Sequence, residues 1–242
     1  MLYFVLPLIA AAGGMIHTIT GFGSGIVMML FLPHFLGMAA GPALSTSINL
    51  FLSLTLAFQF RKALNPRLFL LPLLFYLTGS TGAIFALSSL DMKLVAIAFG
   101  AFLVVLSAYF LFIAGTMSVQ PNWTSALICG GISGICAGLF GIGGPLMALY
   151  FLAITDSKES YTGNLQCMFT FTCLCNTMTR ISRGIYTLEL VPLTILGLIA
   201  VNVGKAVGLK LLNRMDADLV RKSVYLFVGV SGVITAAQNL TA

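Results

Sequence analysis

The sequence predicts an all-α polytopic membrane protein of two homologous halves, each a glycine-broken, re-entrant helical hairpin followed by three transmembrane helices. Three observations predict it. Only 7% of the 242 residues are charged and 59% are hydrophobic, whereas a soluble domain carries about 25% charged residues to cover its surface. Uncharged apolar segments of about twenty residues, enough to span hydrocarbon as a helix, recur along the chain, and the alternating pattern of an outer-membrane barrel is missing. Two glycine runs, Gly21-Phe22-Gly23-Ser24-Gly25 and Phe140-Gly141-Ile142-Gly143-Gly144-Pro145, break such segments at corresponding places.

The elements follow in order. The first apolar segment covers 2–20; it has no positive n-region and its hydrophobicity runs past Ala10-Ala11-Ala12, so it reads as a retained helix and not a cleaved signal. After the glycine run comes a short piece, 26–36, which covers only about 16 Å and does not span alone. Segments 43–60, 68–88 and 93–114 complete the first half, 1–114. A neutral linker, 115–122, leads to the second half, 123–242. There the segment 123–139 meets the second glycine run, followed by a short piece to 154 and by 161–180, 189–212 and 219–240. The halves register at several points: Phe22-Gly23 with Phe140-Gly141 at a shift of 118, Leu71-Pro72-Leu73 with Val191-Pro192-Leu193 at 120, and Arg61 with Arg183 at 122.

Charge sets the orientation. The balance of 12 Lys+Arg against 6 Asp+Glu gives +6, but the basic residues sit in short connections beside apolar spans, so they bear on topology and exclude nucleic acid as a partner. If each broken segment enters and leaves on one side, each half crosses three times and the halves are inverted. Arg61, Lys62, Arg67, Lys210, Arg214, Arg221 and Lys222 then share the inside, with Arg180 and Arg183 outside. If each broken segment crosses once, the halves are parallel and the connection at 210–222 falls outside. The positive-inside rule favours the inverted arrangement.

Glycine breaks inside apolar segments expose backbone groups that hydrocarbon cannot satisfy. The helices restarting after Gly25 and near Pro145 would aim N-termini into the protein, where unpaired N–H groups and the helix dipole favour an anion. Gly23, Ser24, Gly25, Gly141, Gly143 and Gly144 are therefore candidate backbone donors to a substrate near the midplane. Singly, each run serves close helix packing equally well.

With both runs and the small basic turns Arg61-Lys62 and Arg183-Gly184 in view, the chain resembles the TauE/SafE family of membrane permeases over essentially its whole length. That resemblance implies transport of sulfite, a sulfonate or a related sulfur anion. The chain departs from the family pattern at Ser24, where glycine is frequent, and at Ile26-Val27, which stand where the second run has Gly144-Pro145.

His17 lies one turn before Gly21, and an ionisable residue inside a span is a functional candidate, here for binding substrate or carrying a proton. Asn49, Asn164, Gln166 and Asn176 are candidate side-chain donors, or else amides that join helices. Lys205 lies within 189–212 and is expected to snorkel. All six acids, Asp91, Asp156, Glu159, Glu189, Asp216 and Asp218, fall in connections or at segment ends, which disfavours a buried cation pathway; proton or sodium coupling and passive flux stay open. Cys129, Cys136, Cys167, Cys173 and Cys175 lack C-x-x-C spacing and read as small hydrophobes, with no metal or other cofactor implied. The partners expected are a small sulfur-containing anion, the lipid bilayer of an inner membrane and a coupling ion, H+ or Na+; assembly as a homo-oligomer is left open. The rival is an integral-membrane enzyme acting on a lipid-linked substrate, weakened because His17 and His34 form no cluster with carboxylates.

Overall fold

In a computed structural model the chain is described over residues 1–91, 93–95, 97–98, 101–102, 105, 122–216 and 219. The regular structure among them is helical. Segments 93–114 and 219–240 and the linker 115–122 lie largely outside the described residues.

Helix α1, Leu2–Thr20, ends where Gly21 adopts a left-handed conformation at φ 84 and returns its N–H to the His17 carbonyl. Helix α2, Ser24–Met29, lasts only six residues. The expected short piece 26–36 is thus two pieces. The chain turns at Leu30 and Phe31, and α3 restarts at Leu32 with Pro33 in its first turn, running to Gln59 with a kink at Gly37. Asn65 caps α4, Pro66–Ala86, by accepting the Arg67 N–H at 3.2 Å.

In the second half a capping box of Asn122 and Ser125 starts α5, Trp123–Phe140. Gly141 ends it at φ 69, as Gly21 ends α1, and α6 follows at Gly144–Ile154 with Pro145 in its first turn. Ser157 caps α7, Lys158–Ser182, and α8 covers Leu190–Leu212. The left-handed caps Gly21 and Gly141 and the N-caps Gly23 and Gly143 correspond at a shift of 120. The register of the two breaks is therefore 120 and not 118, which sets Ser24-Gly25 against Gly144-Pro145.

Among the described residues five helices, α1, α3, α4 with its following turn, α5 and α8, are long and apolar enough to cross a membrane. Phe4, Leu8, Phe58, Leu74 and Ile199 point outward, while Asn49, Ser53, Asn164, Gln166, Asn176 and Arg180 are buried. A soluble protein shows the reverse; here lipid solvates the apolar outside and helices solvate the polar inside.

Small residues pack closely along the helices as well as at the breaks. Gly130, Gly134 and Gly138 of α5 lie on the carbonyls of Pro72, Tyr76 and Ser80 of α4, four residues apart on both helices in the same direction, so α4 and α5 run parallel. Gly204 and Gly208 lie on Ala11 and Met15 in the same manner, so α1 and α8 run parallel. Each broken helix thus packs on a helix of the other half, and α3 packs on α7 at the centre.

Hydrogen bonds order the ends. Asn164 Nδ2 donates to the Ala63 carbonyl at 3.1 Å, and Lys158 Nζ to those of Leu212 and Met215. The 61–65 turn, the start of α7 and the end of α8 therefore share one end of the bundle. Arg183 donates to Ser88 Oγ at 2.9 Å, placing the end of α7 beside the end of α4 at the other.

Candidate functional site

The two glycine breaks touch. A Cβ added to Gly25 would fall 3.0 Å from the Gly141 carbonyl oxygen, and one on Gly144 would fall 2.6 Å from Cβ of Phe22. Beside this contact is a cavity lined by both breaks and by His17, Asn49, Ser53, Tyr76, Phe169 and Cys173. Tyr76 sits at the middle of α4, Asn49 and Ser53 in the straight part of α3, and Phe169 and Cys173 near the middle of α7, so the cavity lies at mid-depth. It offers about 50 Å³ to the centre of a water-sized sphere. Since one water needs roughly 10–15 Å³ on that measure, the space takes three or four water-sized groups.

A helix break brings a negative carbonyl end and a positive amide end together, so what decides the sign of the site is which end is already satisfied. Helix α7 answers this. Tyr161 donates its hydroxyl to the Thr20 carbonyl at 2.5 Å, and Gln166 Nε2 donates to the Gly21 carbonyl at 2.7 Å. At the second break Arg180 Nη2 donates to the carbonyls of Ala137 and Gly138, at 3.3 and 2.7 Å. The carbonyl ends of α1 and α5 are thus occupied by donors. The first-turn amides of α6 have no intrahelical acceptor, Pro145 contributing none, and Gly143, Gly144 and Pro145 at this end line the cavity. Helix α2, at six residues, adds little dipole, so the positive end rests on α6 and not equally on both restarting helices.

Side chains with unused capacity surround the same space. Nδ1 of His17, Oδ1 of Asn49 and Oγ of Ser53 are buried without a hydrogen-bond partner among the described residues. His17 Nε2 contacts Gln166 Oε1 at 3.0 Å, and its ring meets Phe169 edge-on at 6.4 Å.

The sequence candidates divide accordingly. Gly23, Gly25, Gly141, Gly143, Gly144, Asn49 and His17 line the cavity. Gln166 stands one bond behind it, holding His17 and Gly21. Ser24 is buried against Gly13, its hydroxyl unpartnered. Asn164 is away from the cavity: its amide joins Ala63, Ser160 and the Asn65 N–H, so it anchors a turn. Lys205 does not simply snorkel; its Nζ donates to Thr55 Oγ1 at 2.9 Å.

Arg180 is the largest departure. It belongs inside α7, not in a connection, and none of it is exposed. Its Nε and Nη1 have no partner among the described residues, so a guanidinium sits in the interior without a carboxylate. A signal for it existed in the spacing: Thr162, Gln166, Phe169, Cys173, Asn176 and Arg180 recur every three or four residues and trace one face of α7. Tyr76 and Ser53 carry no comparable mark.

No match was found among curated proteins or among solved structures. A family model described as sulfite exporter TauE/SafE matches residues 6–235, the whole span that carries both breaks, the cavity and the helix that caps them. This multi-pass membrane protein belongs to the sulfite exporter TauE/SafE family.

Proposed function

We propose that the protein moves a small sulfur oxyanion, sulfite first among them, across the inner membrane by alternating access, holding it in the cavity between the two breaks. The observation that carries this reading is the asymmetry of the breaks. Carbonyls at the ends of α1 and α5 are occupied by Tyr161, Gln166 and Arg180, while α6 begins at the wall of a cavity that also holds the unpartnered hydroxyl of Ser53. An anion completes those donors; a cation would find the carbonyls of Thr20, Gly21, Ala137 and Gly138 already taken. The unpaired guanidinium of Arg180 adds a positive potential that the anion's own charge offsets. A cavity of three or four water-sized groups suits an oxyanion with no tail better than a long sulfonate.

The architecture proposed is an inverted repeat of 1–114 and 123–242. Its support is directional. Helices α4 and α7 both run from the end holding the 61–65 turn to the end holding Ser88 and Arg183, and α8 runs back. Helix α1, parallel to α8, heads for the first end, yet α3 must travel the same way to finish at Phe60, so the first hairpin returns to the side it came from. Helix α5, parallel to α4, heads oppositely and α7 restarts at the first end. Arg61, Lys62, Arg67, Lys158, Lys210 and Arg214 then gather on one side, with Lys93 and Arg183 on the other, and the basic side is cytoplasmic.

The test is thermal stability of the purified protein in detergent against sulfite, sulfate, thiosulfate and short sulfonates, with chloride salts of several cations as controls. Saturable stabilisation by a sulfur oxyanion is expected, worth about 2.7 kcal/mol at a hundred times the dissociation constant. Stabilisation by a cation or a lipid alone would sink the reading.

A further inference from the structure

We infer that the cavity takes each oxyanion together with one proton, shared between a ligand oxygen and Nδ1 of His17. The inference rests on the transport reading above and adds to it the protonation state of the bound ligand. A chain of contacts imposes it. The Gly21 carbonyl can only accept, so Gln166 turns its Nε2 donor there at 2.7 Å. That points Gln166 Oε1 at His17 Nε2, 3.0 Å away. An amide oxygen also can only accept, so Nε2 of the imidazole carries a hydrogen. Nδ1 is therefore the ring atom at which a second proton is held or missing. It is buried without a partner among the described residues, on a residue that is 4% exposed and lines the cavity.

A bare lone pair on Nδ1 repels the oxygen of an anion. A proton placed between them turns the same approach into a charge-assisted hydrogen bond. The count does not depend on which partner supplies it. A singly protonated monoanion brings its own proton, and a fully deprotonated dianion draws one from water onto the ring; either way the complex holds one proton more than free protein plus dianion. No bond between heavier atoms forms or breaks.

Among the described residues the surroundings offer no competing proton acceptor of the carboxylate type. Tyr76 of α4 and Cys173 of α7 share the cavity wall. Helix α2 carries no titratable group, and α3 contributes Asn49 and Ser53, its own His34 being exposed near the start of the helix. On α8, which packs along α1, the charged groups are Lys205, taken by Thr55, and Lys210 in the last turn. The site therefore favours oxyanions whose acid form persists near neutral pH, and disfavours sulfonates and sulfate, which hold no proton there.

The experiment is titration calorimetry of sulfite into the purified full chain at pH 8, where free sulfite is mostly dianion, in two buffers of different ionisation heat. The wild type is expected to take up about one proton per sulfite, and its affinity for total sulfite to fall about tenfold per pH unit above neutrality, as one-proton linkage requires. His17→Asn is expected to bind sulfite with no proton uptake and a flat pH profile. Sulfite bound by the wild type without proton uptake overturns the inference and leaves the transport reading standing. Proton uptake that persists in His17→Asn removes His17 from the role. No binding of any oxyanion at any pH defeats the transport reading itself. If His17→Asn does not fold, the proton count of the wild type still decides whether a proton accompanies the anion.

Discussion

Gly143 shows how little room a single position leaves. A Cβ there would collide with the Tyr76 hydroxyl and fall 2.6 Å from the Ser133 carbonyl. Gly143→Leu is therefore expected to fill the cavity and abolish the stabilisation that sulfite gives the wild type, about 2.7 kcal/mol at a hundred times the dissociation constant, measured as a melting shift in detergent. A variant that folds and still responds to sulfite would place the site elsewhere. Arg180 makes the opposite kind of prediction. Arg180→Met loses two hydrogen bonds but also removes a buried charge with no carboxylate beside it, and these effects oppose each other. Its melting temperature without anion should thus correspond to a change within about 2 kcal/mol, while sulfite flux in liposomes falls at least tenfold. A variant that melts far lower and transports normally would make Arg180 a clamp only.

Among the elements, the α4–α5 contact is the most sensitive. Gly134 lies against the Tyr76 carbonyl with no space for a methyl group, whereas a Cβ at Gly131, three residues earlier on the same helix, meets nothing within 4 Å. Gly134→Leu should destabilise by about 1–3 kcal/mol or prevent folding. Gly131→Ala should be neutral or stabilising by about 0.5–1 kcal/mol, because alanine is the better helix former. Thermal melts of both variants check this pair. Helix α7 has a different sensitivity. It covers the segment 161–180 expected from the sequence as a span and is long enough to cross the bundle, but it is too polar to stand among the apolar spans, since it carries Tyr161, Gln166 and Arg180 to the two breaks. Its stripe of polar residues at helical spacing was present in the sequence, yet nothing local distinguishes a donor that reaches a carbonyl from one that meets another amide. Asn164, which joins a turn, and Gln166, which serves the site, lie two residues apart.

At the scale of the molecule, the proposed topology places Lys62 and Arg214 on one face and Arg183 on the other. Single cysteines at those three positions, in a chain otherwise free of cysteine, should react with an impermeant thiol reagent from the cytoplasmic side at 62 and 214 and from the outer side at 183. Reaction of 62 and 214 from opposite sides would mean that each broken segment crosses the membrane once.

The membrane class, most of the described long helices and the two breaks were legible from the sequence because they follow from local facts, whereas the division of 26–60 between Ser24–Met29 and Leu32–Gln59 was not. Hydrocarbon excludes charge over about twenty residues at a time, caps such as Asn65 and Asn122 lie beside the helices they start, and a run of closely spaced glycines readily supplies the left-handed residue that ends a helix, as Gly21 and Gly141 do. Which glycines pack and which open a cavity was decided only by tertiary structure. Gly130, Gly134 and Gly138 look no different in sequence from Gly141 and Gly143, and they diverge because the α4 backbone lies against the first three, whereas Gly141 and Gly143 also border the cavity. The same holds for the sign of the site. Every helix break offers both a carbonyl end and an amide end, and only the arrival of Tyr161, Gln166 and Arg180 from one distant helix takes up carbonyls of the first, on which the proposed anion site depends.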